Sequence, residues 1–306
     1  MGRLTGKEVG TMGTQDVYEG VTAAIVSAIE AGAGSWVMPW RQSLPVNAIT
    51  RKPYRGGNTC VLWFAAADKG FDSEEWATYR QWASVDAQVR KGERGTACLF
   101  FSPAGTKTVA VSDDDESETR TVGRRAVAKV FWVFNAAQVD GYEAKAPQSA
   151  ALSESERVAS AERFFSGVGA KVTTSAAGRA CYSRVVDEIQ LPDFSSFRSG
   201  QDYYATSAHE HAHWTGHESR LNREYGKRFG DDAYAMEELT AELSSAFTCA
   251  YLGLNTVARP DHAAYLASWL RCLRADGRAL WSVASKAQAA TDFLVAAASP
   301  GLEVAA

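Results

Sequence analysis

Four of the five histidines in this 306-residue chain fall within nine positions, His209 to His217, in the run HEHAHWTGH. His209, Glu210 and His213 form His-Glu-x-x-His. On a helix, residues four apart stand on one face, so both imidazoles can reach a single ion. The intervening glutamate is then positioned to take a proton from water that the ion activates. Two imidazoles leave a site of the zinc type one ligand short. The run AMEELTAELSSAFTCAYLGL (Ala235 to Leu254) is apolar except for a few polar positions and offers Glu237, Glu238 and Glu242. A carboxylate facing the core of such a helix is costly unless paired or bound to a metal. Glu238 and Glu242 share a face. That spacing nominates Glu238 as third ligand and Glu242 as acceptor for the far nitrogen of a ligating histidine, with Glu237 the alternative ligand. The expected cofactor is Zn2+ and the expected catalytic base is Glu210. His211, two residues from each imidazole, points to another face. Tyr182, Arg184, Tyr204 and His262 stand open as stabilisers of an oxyanion.

A second constellation lies far upstream. SWVMPWRQSLPVNAITRKPYRGGN (Ser35 to Asn58) interleaves Trp36, Trp40 and Tyr54 with Arg41, Arg51, Lys52 and Arg55 and contains no acid. VRKGERG (Val89 to Gly95) adds Arg90 and Lys91. Rings that stack on unpaired bases, beside cations that follow phosphates, are what a single-stranded nucleic acid requires. The same residues also suit a packed core with a solvated rim, because tryptophan is most often a core anchor.

The elements needed to hold these groups are legible in the pattern. DVYEGVTAAIVSAIEAG (Asp16 to Gly32) has helical apolar spacing and ends on glycine. Further helices are expected over Asn58 to Lys69 and over SEEWATYRQWASVDAQV, with Ser73 as N-cap. The β-rich runs TACLFFS and RAVAKVFWVFN follow, joined by the acidic loop SDDDESE (Ser112 to Glu118). GYEAKAPQSAALSES (Gly141 to Ser155) has the composition of a linker. Beyond it come a helix over Glu154 to Phe165, strands near Ala170–Thr174, Ala180–Arg184 and Glu188–Leu191, and then helices. The histidine helix is capped by Ser199 or Asp202 and stops at Gly216. This organisation is α+β in two domains, 1–147 and 148–306. The net charge of −4 gives no general attraction to nucleic acid, and the first 145 residues balance 17 Lys/Arg against 17 Asp/Glu. Five scattered cysteines without a Cys-x-x-Cys pair, no signal-like segment and no membrane-length apolar run lead to the expectation of a cytoplasmic protein.

The His-Glu-x-x-His motif with a downstream glutamate is similar to the arrangement of thermolysin-like (gluzincin-type) zinc peptidases. A metzincin would carry its third histidine at position 219, where Ser219 stands, so His217 reads as a cap or packing residue. The succession WVMPWR, LPVNAITRKPYRGGN, WATYRQW, QVRKGERGT, FWVFNAAQVDG, DEIQLP, YYATSAHEHAHWTGHESRLNRE, EELTAEL and HAAYLASWL resembles the ArdC-type antirestriction proteins from about Asp16 to Phe293. The resemblance implies an N-terminal domain that binds single-stranded DNA without sequence preference and a zincin-like metallopeptidase domain, carried by plasmids or phages. It also implies ligation by His209, His213 and Glu238. The departure is His211, where the family more often has an apolar residue. Two other functions fit the same residues: a non-catalytic coat on single strands with a structural or regulatory zinc, and a peptidase that cleaves a DNA-bound regulator.

Overall fold

The computed structural model describes residues 14–31, 41–101, 106–110, 119–123, 128–145, 152–223, 232–254 and 262–298. The acidic run Ser112 to Glu118, Trp36, Trp40 and the middle of the linker, residues 146–151, fall outside them. The described chain is a mixture of helix and sheet, and no described helix is long and apolar enough to cross a membrane.

In the first half, α1 (Thr14–Ala31) and α2 (Gly57–Lys69) pack on a four-stranded sheet. Its strands are β1 (Val46–Asn47), β2 (Glu75–Ala77), β4 (Thr96–Phe101) and β7 (Ala128–Asn135), in the order β1-β2-β7-β4. TACLFF and AKVFWVFN pair directly and antiparallel, from Thr96 opposite Val133 to Phe101 opposite Ala128. A further antiparallel pair, β5 (Thr106–Ala110) with β6 (Thr119–Gly123), separates them in sequence, so the acidic run lies in sequence between β5 and β6 rather than directly between the two long strands. Where a helix is expected over SEEWATYRQWASVDAQV, the chain instead forms β2 and the short α3 (Tyr79–Ala83). β3 (Gln88–Val89) follows and pairs with β8 (Val139–Asp140). The reason is tertiary. Glu75, Trp76 and Ala77 are all buried between β1 and β7, and that ladder outweighs helical spacing. Ser73 accepts from the Glu75 N–H in a turn, while Thr78 and Gln81 form the capping box that starts α3.

The second half contains α4 (Glu154–Val168) and a three-stranded sheet in the order β10-β11-β9, from β9 (Lys171–Thr174), β10 (Cys181–Ser183) and β11 (Glu188–Leu191). Four helices follow: α5 (Gly200–Thr215), α6 (Asp232–Leu252), α7 (His262–Ala275) and α8 (Ala279–Ala298). Phe164 and Phe165 of α4, Ile189 and Leu191 of β11, Ala208 of α5 and Leu294 of α8 share one core. A second core crosses between the halves: Cys60 and Trp63 of α2 pack with Leu243 and Phe247 of α6, Trp269 of α7 and Ala284 of α8. Trp63 is fully buried, its ring centroid 5.7 Å from that of Phe247. α8 therefore braces both halves.

Candidate metal centre

α5 begins where the sequence places a cap: the Ser199 hydroxyl accepts from the Asp202 N–H at 3.1 Å. It runs through the histidines and packs along α6. Four turns of α5 thus present one face to the acidic face of α6. His209 Nε2 and His213 Nε2 lie 3.1 Å apart. Glu238 bridges them, with Oε2 3.6 Å from the first ring and Oε1 3.5 Å from the second. One donor atom from each of these three residues lies within 4.8 Å of the others. Each ring's other nitrogen meets a carboxylate: His209 Nδ1 is 3.4 Å from Glu242, and His213 Nδ1 is 3.2 Å from Glu237. Outer carboxylates of this kind fix the tautomer and turn both Nε2 lone pairs towards a common point. Two imidazole nitrogens and a carboxylate oxygen, converging in a buried place with a carboxylate beside each outer nitrogen, are a donor set that suits a divalent ion.

The electrostatics agree with such a site. Burial by itself would lower His213, but Glu237 and Glu238 beside it carry its pKa up to about 10. Glu238 is likewise desolvated, yet the two histidines hold its carboxyl well below the usual range.

Arg223 completes the arrangement and carries no signal in the sequence pattern. It is buried, grips both oxygens of Glu237 at 2.8 and 3.0 Å, and donates to the Ala212 carbonyl and the Thr215 hydroxyl. Glu237, open from sequence as an alternative ligand, is thus spent between His213 and Arg223. Glu210 is buried on the turn between the two imidazoles. Partial desolvation, and then the Glu210 charge, push up the Cys181 thiol on the neighbouring β10. His211 is fully buried against Phe165, its Nδ1 2.8 Å from the Ser207 carbonyl. His217 sits in the turn after α5, bonded to Ser219. Of the oxyanion candidates, Tyr204 is buried and stacked on Phe165. The Tyr182 hydroxyl is occupied by Asp187 and Arg220. Arg184 is exposed, and the side chain of His262 lies outside the described residues.

The described residues of the upstream constellation are not all surface groups. Tyr54 is a core residue: its ring packs with Leu62 and Trp76, and its hydroxyl donates to the Trp76 carbonyl at 3.3 Å. Arg41 is tied to Glu74 at 2.8 Å and to the Phe71 carbonyl. Neither is presented for stacking or for phosphate contact, because each is consumed in closing the fold around β2. Arg51 pairs with Glu75, Arg55 with Asp292, and Arg90 with Glu93, all with exposed guanidinium groups. Lys52 and Lys91 are exposed and have no carboxylate partner among the described residues.

Fold and site together define a two-part chain with a zincin-like second domain. The model of a zincin-like metallopeptidase family matches residues 159–286, and that of the N-terminal domain of anti-restriction factor ArdC matches residues 15–134. The crystal structure of the antirestriction ArdC protein from plasmid R388, with Mn(II) bound, is 36% identical and superposes with a TM-score of 0.74, covering 94% of this chain and 100% of that one. Its metal-free form gives 0.73 at 40% identity. The y4eC protein of Sinorhizobium fredii is 45% identical over 91% of each chain. DNA primase TraC of Escherichia coli is 35% identical over 91% of this chain, which spans 27% of the primase. The chain belongs to the ArdC antirestriction family.

Proposed function

We propose that this chain is an antirestriction protein of a mobile element that binds single-stranded DNA and carries a metal-dependent, peptidase-like centre on His209, His213 and Glu238. The observation that carries the metal-dependent part is the convergence of those three donors within 4.8 Å, with Glu237 and Glu242 behind the rings. The name of the R388 relative supplies the antirestriction role and its plasmid setting. When bound, a divalent ion supplies Lewis acidity towards a carbonyl and acidifies water. Glu242 and Glu237 hold the imidazoles in one tautomer, and Arg223 holds Glu237. Glu210 accepts a proton on its carboxylate during attack and returns it to the departing nitrogen. Zinc suits the imidazole and carboxylate donors; the relative's Mn(II) makes manganese the second ion to test.

DNA binding is supported by the family and by the exposed cations Lys52, Lys91, Arg51, Arg55 and Arg90. Arg55 and Arg90 are held in solvent-accessible ion pairs, which are weak enough for phosphate to displace, whereas Arg51 is tied to the buried Glu75. The test separates base from ligand. Glu210→Gln should keep one ion per chain by elemental analysis and abolish cleavage of a fluorescent casein; Glu238→Ala should lose the ion. Unchanged metal content in Glu238→Ala would remove the proposed ligand set. Casein cleavage surviving in Glu210→Gln would remove the proposed base.

A further inference from the structure

The start of α2 is pressed against α8 by glycine. A Cβ on Gly57 would sit 2.1 Å from a Trp281 ring carbon, so only the bare backbone allows the contact. Gly56 holds a positive φ of 55° and donates its N–H to Gln288 at 2.9 Å. This junction opens into a groove of about 580 Å3 between α1, α2, the end of β4 and α8. Its size lies within the roughly 300–1,000 Å3 of small-ligand sites.

The walls carry two kinds of group. Phe101, at the end of β4, is 49% exposed. Tyr18 meets Trp281 edge-on at 5.4 Å. The cations are Arg278, 5.4 Å from the Tyr18 ring centroid, and Arg55. The groove has one carboxylate among its described walls, Asp292, and its charge is taken up by Arg55 and by the Gln288 amide at 3.0 Å. The first turn of α2, which opens here, has no acid and no side-chain cap. Trp281, 7% exposed and part of the wall, has an indole N–H with no acceptor among the described residues. A half-exposed ring, two guanidinium groups and a helix start without a side-chain cap together suit a ligand that joins a flat face to an anion.

We propose that this groove, at the junction of the two halves, seats a nucleotide unit of single-stranded DNA. The base lies against Phe101 and Tyr18, and the phosphate lies near Arg55, Arg278 and the start of α2. This rests on the single-strand binding proposed above and gives it a location. Of the upstream cations only Arg55 lines the groove, while Phe101, Arg278 and Trp281 come from elsewhere in the chain. A base can enter only when unpaired, so duplex is excluded by the stacking itself.

The test uses the full-length protein and a fluorescent oligothymidylate, read by anisotropy across a salt series, with circular dichroism and metal content as controls of folding. Phe101→Ala should weaken binding about fivefold to a hundredfold and leave the salt slope unchanged. Arg278→Ala should weaken binding and flatten the slope of log affinity against log salt by roughly one unit. Wild-type affinity in both variants, with binding lost in Lys91→Ala, would overturn the groove and leave single-strand binding intact. A wild-type protein that ignores the oligonucleotide would overturn both. If free dAMP or ATP bound as tightly as the oligonucleotide, the groove would be a free-nucleotide site and the strand proposal would fall.

Discussion

His211 is two residues from both candidate ligands and does different work from either. Its ring is sealed against Phe165, with Nδ1 at the Ser207 carbonyl and Nε2 without a partner among the described residues. Burial lowers its pKa from 6.5 to about 4, because the charged ring would be stranded away from water. A depressed histidine costs stability in acid: below pH 6.5 the unfolded chain takes a proton that the folded ring refuses, and the loss grows until about pH 4. His211→Leu removes this term while keeping an apolar contact with Phe165. Urea denaturation should therefore show a gain for the variant at pH 5 that exceeds its effect at pH 8 by about 2 kcal/mol. An equal effect at both values would mean that the ring is protonated within the fold. All other groups are common to the two proteins and cancel in the comparison.

Elements transmit such choices through single contacts. α5 owes its placement to Ser199 at its start and to α6 along its length, and that pairing turns two i,i+4 patterns into one donor set. α2 owes its placement to the absence of a side chain at Gly57. Gly57→Ala must displace the Trp281 ring by more than an ångström, which should cost about 1–3 kcal/mol as overpacking. Thermal melting of the variant checks this, and metal content should be unchanged because α5 and α6 are not touched. The β2 strand teaches the same dependence from the other side. WATYRQWASV has the composition of a helix, but with Trp76 fully buried and laddered on both edges the neighbours decide its conformation.

For the molecule as a whole, the linker composition near residue 148 suggests two separable modules, and the packing argues that they lean on each other. Val61 and Leu99 of the first half share a core with Trp281, and Cys60 and Trp63 share one with α6 to α8. A segment ending near Lys145 would expose these side chains, each worth about 1.5–3 kcal/mol on burial for the larger ones. Expressed alone, residues 14–145 should be aggregation-prone and bind a hydrophobic dye. Co-expression with residues 152–298 should restore a soluble complex. A soluble, cooperatively folding segment 14–145 would show that the crossing core is dispensable.

The metal-type motif was legible from sequence because it is local: four-residue spacing on a helix puts His209 and His213 on one face whatever surrounds it, and the same holds for Glu238 and Glu242. Helices and strands with strong periodicity were legible for the same reason. Which carboxylate meets which ring depends on the rotation of α6 against α5, and no spacing encodes that. Arg223, in a turn between helices, acquires its partners only when both are assembled. Tyr54 and Arg41 show the converse. Aromatic and cationic composition describes what a surface needs, but a ring buries itself wherever apolar neighbours are offered, and the folding of β2 offered them. The groove between the halves was invisible for the most physical of reasons: its walls are some 180 residues apart in the chain, from Phe101 to Trp281, and meet only where a glycine lets two helices touch.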